Sequence, residues 1–430
     1  MSFSQPFEIK EFQKQNINIF KYDNEHLMFD PENLNIFSKE KTISCSDSIK
    51  SYLDYKKKSS LQTINVSKCN FEKKLSVFVL LSNDCNLRCK YCYADGGNYG
   101  QSKAKMENDV IDQFFIFLKE NFYDFKKFKF TFFGGEPCLF VDTIEYFIET
   151  SKKYYNKKNI VYSFVTNGTI LNDKLSNLIK VNNIKFQISL DGYKEDQDKL
   201  RKTINGKGSF QLILNNLNDF QKLYKNVGFR STITPLNMNL TKTYLNFKKL
   251  KASYFHFEIA SLMKDSNLSF HDDTISNYKK ELTKLAIIYT KDKLENKSNL
   301  KILCFEKHLS ILDSKIERNS FCSIGKKFFA INCFGDIYPC HRFVGKEQFK
   351  IGNINKLFDF KLKTSYSQNS NSLKCCKKCF AKNLCGGGCL YNIRLIDIND
   401  VYNSYSCQII RHTAALSIWM YNQLKNKLLR

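Results

Sequence analysis

Cys85, Cys89 and Cys92 stand in a C-x3-C-x2-C run that directly follows the β-rich stretch KLSVFVLLS. Three thiolates on one short loop can hold three irons of a four-iron, four-sulfur cluster and leave the fourth iron without a protein ligand. Chemistry happens at such an open position. A zinc site would want a fourth Cys or His at close spacing, and this loop offers none. Farther on come Cys322 and Cys340, then Cys376-x2-Cys379-x5-Cys385-x3-Cys389, and finally Cys407. Iron–sulfur ligation and a pair of zinc knuckles both fit that second spacing.

The rest of the composition agrees with metal rather than disulfides. The 430 residues include 16 Cys, and the start, MSFSQPFEIKEF, lacks the charged and apolar regions of a secretion signal. In a reducing compartment thiols stay free for metal or catalytic use, so the cytosol is the expected location. No apolar run reaches the ~18 residues of a membrane span. With 43% hydrophobic, 25% charged and 14% aromatic residues, the chain is globular, neither disordered nor collagenous. A net charge of +25 would draw acidic peptides or polyanions. Its lysines are scattered as pairs on amphipathic segments without interleaved aromatics, so nucleic acid is not expected as a partner.

The elements that must position the cysteines read as repeated βα units. Strand patterns fall at 74 to 82, 128 to 135, 160 to 168, 184 to 192, 227 to 235 and 255 to 262, with helical periods at 107 to 122, 142 to 155, 172 to 181, 209 to 225 and 241 to 251. Six such units predict an α/β chain built on a partial (β/α)6 barrel of TIM type. Crossover helices put every strand's C-terminal end, and the Cys85 loop, on one rim. Residues 1–72 read as a small α+β module: a hairpin over INIFKYDNEHLMFD, a strand over NLNIFSK and a helix over SIKSYLDYKKK. Residues 73–300 form the barrel, and residues 301–430 a Cys-rich segment organised by metal and closed by a long helix.

The cysteine run has Tyr91 just before its last Cys, and it is followed at successive strand ends by Gly134-Gly135-Glu136-Pro137, Thr166-Asn167-Gly168 and Ser189-Leu190-Asp191-Gly192, with Arg201 and Asn237 beyond. In that order the motifs resemble the radical S-adenosylmethionine (radical SAM) superfamily. The resemblance covers roughly residues 74 to 410. It implies that Cys85, Cys89 and Cys92 hold a 4Fe-4S cluster whose open iron is chelated by S-adenosylmethionine. It places Tyr91, Gly134, Gly135, Glu136, Pro137, Ser189, Arg201 and Asn237 around that cofactor: the GGEP stretch at the methionine amino group, Arg201 at its carboxylate and Asn237 at the ribose. The implied chemistry is a 5′-deoxyadenosyl radical that abstracts an unactivated hydrogen.

The downstream cysteines resemble the SPASM domain of radical SAM enzymes that act on peptides and proteins. By that resemblance Cys376, Cys379, Cys385 and Cys407 ligate one auxiliary 4Fe-4S cluster, while Cys322, Cys340 and Cys389 hold another. That second cluster lacks one protein ligand, which Cys333, Cys375 or a substrate thiolate would fill. The total is three 4Fe-4S clusters. The stretch GDIYPCHRFVG at 335 to 345 resembles maturases of Cys-rich peptides. The expected function is thioether crosslinking of a ribosomally made, Cys-rich precursor peptide, with flavodoxin or ferredoxin as reductant and residues 1–72 as a leader-binding module of winged-helix type. The enzyme rival is anaerobic sulfatase maturation. In that family an Asp follows the Cys corresponding to Cys340, and here His341 stands there as the candidate base. The rival of another class is a non-catalytic iron–sulfur or zinc protein that binds nucleic acid.

Overall fold

The computed structural model describes residues 10–14, 17–22, 25–40, 73–261, 266–356, 358, 365–366, 373–394 and 401–428. The helix expected at SIKSYLDYKKK and the thiols of Cys45 and Cys69 lie outside them. The N-terminal part is a four-stranded antiparallel meander of β1 (Lys10–Lys14), β2 (Ile17–Tyr22), β3 (Glu25–Asp30) and β4 (Asn35–Glu40). The expected hairpin and third strand correspond to β2 to β4, and β1 adds a strand in front.

The barrel strands are β5 (Lys74–Leu80), β7 (Lys127–Phe133), β8 (Ile160–Thr166), β9 (Lys185–Ser189), β11 (Gly228–Ile233) and β12 (Tyr254–Ile259), all parallel and hydrogen-bonded in that order. Between them run α1 (Asn108–Asn121), α2 (Val141–Tyr154), α3 (Asp173–Asn182), α4 (Lys194–Leu200) with α5 (Phe210–Leu223), and α6 (Leu240–Lys249). Two short strands, β6 (Leu87–Cys89) and β10 (Arg201–Thr203), pair with each other off the main sheet. The abundance of Phe follows from the packing of helices on the sheet. Phe114 and Phe115 of α1 and Phe147 of α2 lie against Phe130 of β7, with ring centroids 5.1 to 6.2 Å apart and mostly edge-to-face.

After β12 come α7 (Asp272–Leu294), the short β13 (Lys301–Ile302) and α8 (Leu303–Ser314). The following segment is not organised by cysteines alone. It supplies β14 (Phe328–Ile331), β15 (Asp336–Tyr338) and β16 (Gly352–Asn353), and β14 lies parallel to β5 and extends the sheet to ten strands. The β14–β15 turn closes because Asn332 Oδ1 accepts the Phe334 and Asp336 amides at 3.0 and 2.8 Å and Gly335 takes φ +80°. That addition carries Cys340, at the end of β15, to the strand that launches the Cys85 loop.

The chain closes with α9 (Tyr405–Leu428), whose His412 and Ser417 bond Thr283 of α7 and His308 of α8 at 2.9 and 3.1 Å. The meander packs on this C-terminal part. Tyr22 donates to the Ala415 carbonyl at 2.6 Å, Asn383 to the Pro31 carbonyl at 2.7 Å, and the Phe20 and Phe380 rings meet edge-on at 5.0 Å. Among the described residues no helix is long and apolar enough to cross a membrane.

Candidate active site

The loop that carries Cys85, Cys89 and Cys92 is held from three sides. Below it, the end of β7 runs so close that only glycine fits. The Gly135 amide donates to the Ser82 carbonyl at 3.1 Å and the Glu136 amide to the Asp84 carbonyl at 2.9 Å. A Cβ on Gly135 would lie 1.9 Å from that Asp84 oxygen, and one on Gly134, at φ +129°, would lie 2.5 Å from the Ser82 oxygen. The glycine pair thus first serves the cysteine loop itself. Glu136 turns inward and is 1% exposed. Its carboxylate accepts from Thr166 Oγ1 at 2.7 Å and the Asn167 and Cys138 amides at 2.7 and 3.1 Å, tying β7 to the end of β8. Burial raises its pKa against the pull of those hydrogen bonds.

On the second side β6 pairs with β10, and Arg201 stands opposite Cys89. Asp191, at the end of β9, is fully buried and draws four groups together. It accepts from Arg201 Nε and Nη2 at 2.9 and 3.3 Å, from the Thr232 amide at 2.9 Å and from the Tyr91 hydroxyl. The Arg201 guanidinium also lies 5.2 Å from the Tyr91 ring centre. On the third side Asn167 Nδ2 donates to Asn86 Oδ1 at 2.8 Å and stands 4.0 Å from the Cys85 sulfur. Asn237 is 2% exposed and caps the turn after β11, accepting from the Thr234 amide at 2.7 Å and donating to the Thr232 carbonyl at 3.0 Å. Ser189 ends β9 beside Arg230 of β11, on the face away from the helices.

None of the described cysteines is in a disulfide. Burial pushes the Cys85 thiol up to about 12, and Glu136, Cys89 and Cys92 push the same way. Burial likewise brings Cys89 to about 11 although Arg201 pulls it down. The metal-free loop therefore keeps Cys85 and Cys89 protonated, and metal must displace those protons.

The downstream cysteines fall into two groups. Burial lifts Cys340 to about 12, and Cys389 and Cys322 repel it further while Arg342 opposes. Burial lifts Cys379 to about 12, with Cys385 and Cys407 adding, and Cys376 responds to burial, then to Cys375, Cys379 and Cys385. Cys375 therefore neighbours the four-cysteine group, not the three-cysteine one. Cys333 is 2% exposed, and burial, then Asp336, raises it to about 12 with no thiol among its charged neighbours. Gly386, between Cys385 and Cys389, lies against the backbone just before Cys322, because a Cβ there would lie 2.5 Å from the Ser320 carbonyl carbon.

Among the described residues no group of His, Cys, Asp or Glu is placed to hold a metal ion. The donor chemistry, thiols only and all of them free, fits iron–sulfur clusters, which bring sulfides of their own. His341 stacks on Phe78 with centroids 4.3 Å apart, and burial, then Arg342 and Arg230, lowers it to about 3. Such a ring is neutral at neutral pH and a poor proton acceptor, so its surroundings do not favour the role of base.

Asp191, Asn167, Arg342 and Glu258 were not among the expected site residues. The first three lay within recognisable motifs, Arg342 in GDIYPCHRFVG, and Glu258 had no local signal. The known proteins agree with the geometry. The model of the radical SAM superfamily matches residues 79–244. The cysteine-type anaerobic sulfatase-maturating enzyme of Clostridium novyi is 32% identical over 349 residues, covering 74% of this chain and 89% of that enzyme. The structure of native anSMEcpe with bound AdoMet superposes with a TM-score of 0.67 at 22% identity, covering 82% of this chain and 99% of the other. Streptococcus suis SuiB bound to its precursor peptide SuiA superposes at 0.54 with 15% identity, covering 93% and 100%. Both superpositions speak to the fold. This chain belongs to the radical SAM superfamily, whose enzymes use S-adenosylmethionine and a 4Fe-4S cluster, and its fold is that of the SPASM type.

Proposed function

We propose that this chain modifies a ribosomally synthesised, Cys-rich precursor peptide by joining cysteine sulfur to carbon in thioether crosslinks. Cys85, Cys89 and Cys92 would hold the S-adenosylmethionine cluster, Cys376, Cys379, Cys385 and Cys407 a second, and Cys322, Cys340 and Cys389 a third. When bound, the first cluster and S-adenosylmethionine supply a 5′-deoxyadenosyl radical that takes a hydrogen atom from the peptide. The chain's own residues position and shield. Gly134, Gly135, Glu136 and Pro137 would frame the cofactor, Arg201, fixed by Asp191, would face its carboxylate, and Ser189 and Asn237 would line the rim beside it. Each crosslink removes from the peptide one hydrogen atom, carried off as 5′-deoxyadenosine, one thiol proton, released to solvent, and one electron, which the cluster held by Cys322, Cys340 and Cys389 would accept.

The observation that carries this reading is the incomplete trio. Among the described residues Cys375 packs with Cys376 and Cys407 and the charged neighbour of Cys333 is Asp336, so on this reading Cys322, Cys340 and Cys389 would leave a position for a substrate thiolate. Tyr93 joins the two sites, since after burial its hydroxyl responds to Arg342, Cys340 and Cys92. The meander supports peptide capture, with β1 as an edge strand to which a leader adds. A hollow of about 370 Å³ beside Cys375, lined by Lys374, Lys377 and Lys378, suits an acidic electron carrier such as flavodoxin or ferredoxin.

The likeness to the Clostridium novyi enzyme favours a second reading, oxidation of a single protein Cys to an aldehyde. Incubation with a Cys-rich precursor under reducing, oxygen-free conditions separates the two. Crosslinking lowers the mass by two hydrogens and removes one alkylatable thiol per bridge. Sulfur lost and an aldehyde gained that reacts with hydrazides would support the second reading.

A further inference from the structure

Among the described residues Arg342 is a cation found against both the three-cysteine group and the border of the first loop. Its Nη1 stands 3.9 Å from the Cys389 sulfur and 3.1 Å from Asn392 Oδ1. Its guanidinium lies 4.4 Å from the Tyr391 ring centre and 5.7 Å from that of Tyr93. Asn392 is itself fixed, accepting from Ser261 Oγ at 2.8 Å and donating to Ser406 Oγ at 3.2 Å. The guanidinium is therefore clamped, with an N–H directed at a ligand sulfur.

An anion whose charge acts on this cation is Glu258 of β12, far away in sequence; its Oε1 stands 3.6 Å from His256 Nε2, whose Nδ1 stands 3.2 Å from Arg230 Nη1. Burial opposes its charge, yet the hydrogen bond to His256 and the charges of Arg230, His256 and Arg342 bring it to about 2. Glu258 in turn acts on Lys307 and Arg318, which border Cys322 and Cys385. One carboxylate thus sits among the cations that surround the auxiliary thiols.

We propose that Arg342 sets the reduction potential of the iron–sulfur group held by Cys322, Cys340 and Cys389, and that Glu258 is the counter-charge limiting its effect; this rests on the reading that those three thiols hold a cluster. Reduction adds negative charge to a cluster. A hydrogen bond to a ligand sulfur and a fixed positive charge both stabilise the reduced form, and guanidinium keeps its charge at every working pH. Arg342 would make this group a better electron acceptor than the same three thiols without it.

The test is a redox titration followed by electron paramagnetic resonance on the full chain, reconstituted without oxygen, with iron and sulfide counted for each variant. In Arg342→Met one of the waves moves to lower potential, in Arg342→Lys it moves less, and in Glu258→Gln it moves up, while the other waves stay. A structural role would not give opposite shifts from the two charge removals. An unmoved wave at full iron content, a common shift of all waves, or same-sign shifts in the Met and Gln variants would overturn the proposal. Should Arg342→Met fail to load, the Lys and Gln variants decide: no upward shift in Glu258→Gln refutes it. Cys322→Ala separately tests the reading beneath: if it retains all its iron and sulfide, the trio holds no cluster.

Discussion

Replacing Asp191 by Asn should unseat the first cysteine loop. The carboxylate is fully buried and accepts from Arg201 twice, from the Thr232 amide and from Tyr91, the residue before Cys92. Asn keeps the size but removes the charge, turns an NH2 group toward one of these donors, and leaves Arg201 buried without its anion. Removing one partner of a buried ion pair costs about 3–5 kcal/mol, a shift of roughly a hundredfold to several thousandfold between docked and undocked loop. By contrast the pair of Lys174 with Asp142 and Glu145 is exposed and screened by water, so Lys174→Ala serves as a control. The assay counts iron and sulfide per chain and follows S-adenosylmethionine binding by equilibrium dialysis. Asp191→Asn should lose one cluster's iron and the cofactor's affinity together, while the auxiliary clusters report an intact C-terminal part. Wild-type iron content and affinity in this variant would refute the reasoning.

Gly135→Ala should lose the same cluster, because its methyl would overlap the Asp84 carbonyl, a backbone group that cannot swing aside; normal 5′-deoxyadenosine formation would count against it. Cys333→Ala should leave iron content unchanged, since no thiol stands among its charged neighbours, and iron loss on that substitution would reassign the trio. His412 is held at about 4 by burial, below its ordinary 6.5. The unfolded chain takes up that proton first, so the stability it contributes is complete above pH 6.5 and is lost as pH falls toward 4; His412→Gln should melt with less pH dependence than the wild type across that window. Precursor peptide with its leader should slow hydrogen exchange of the β1 amides at Lys10–Lys14, and leaderless peptide should not; equal protection by both would remove the meander from leader capture.

The six barrel strands were legible because the β-rich runs between helical periods mark parallel strands covered on one face, as with Phe128, Phe130 and Phe132 of β7. The rim motifs were legible because they recur at strand ends. What holds them was not. Asp191 and Tyr91 are 100 residues apart and meet only through the β9 rim. Glu258 carries no motif, and Arg342 lies in GDIYPCHRFVG with no role attached to it; the closing of β15 against the barrel brings their charges into range of one another. The segment from Phe328 to Tyr338 looked like part of a cysteine-organised region, yet its apolar residues pair with β5 and bury Phe329, Ile331 and Ile337. The division of the downstream thiols into four and three followed from resemblance, whereas the side taken by Cys375 depends on its contact with Cys376.

The central claim is that Cys85, Cys89 and Cys92 present a cluster with one position open to S-adenosylmethionine. The most direct measurement is the paramagnetic resonance spectrum of the reduced, oxygen-free protein before and after that cofactor is added. One signal should change shape on addition, and this signal should be missing when all three residues are Ala. A spectrum indifferent to the cofactor, or unchanged by the triple substitution, would contradict it.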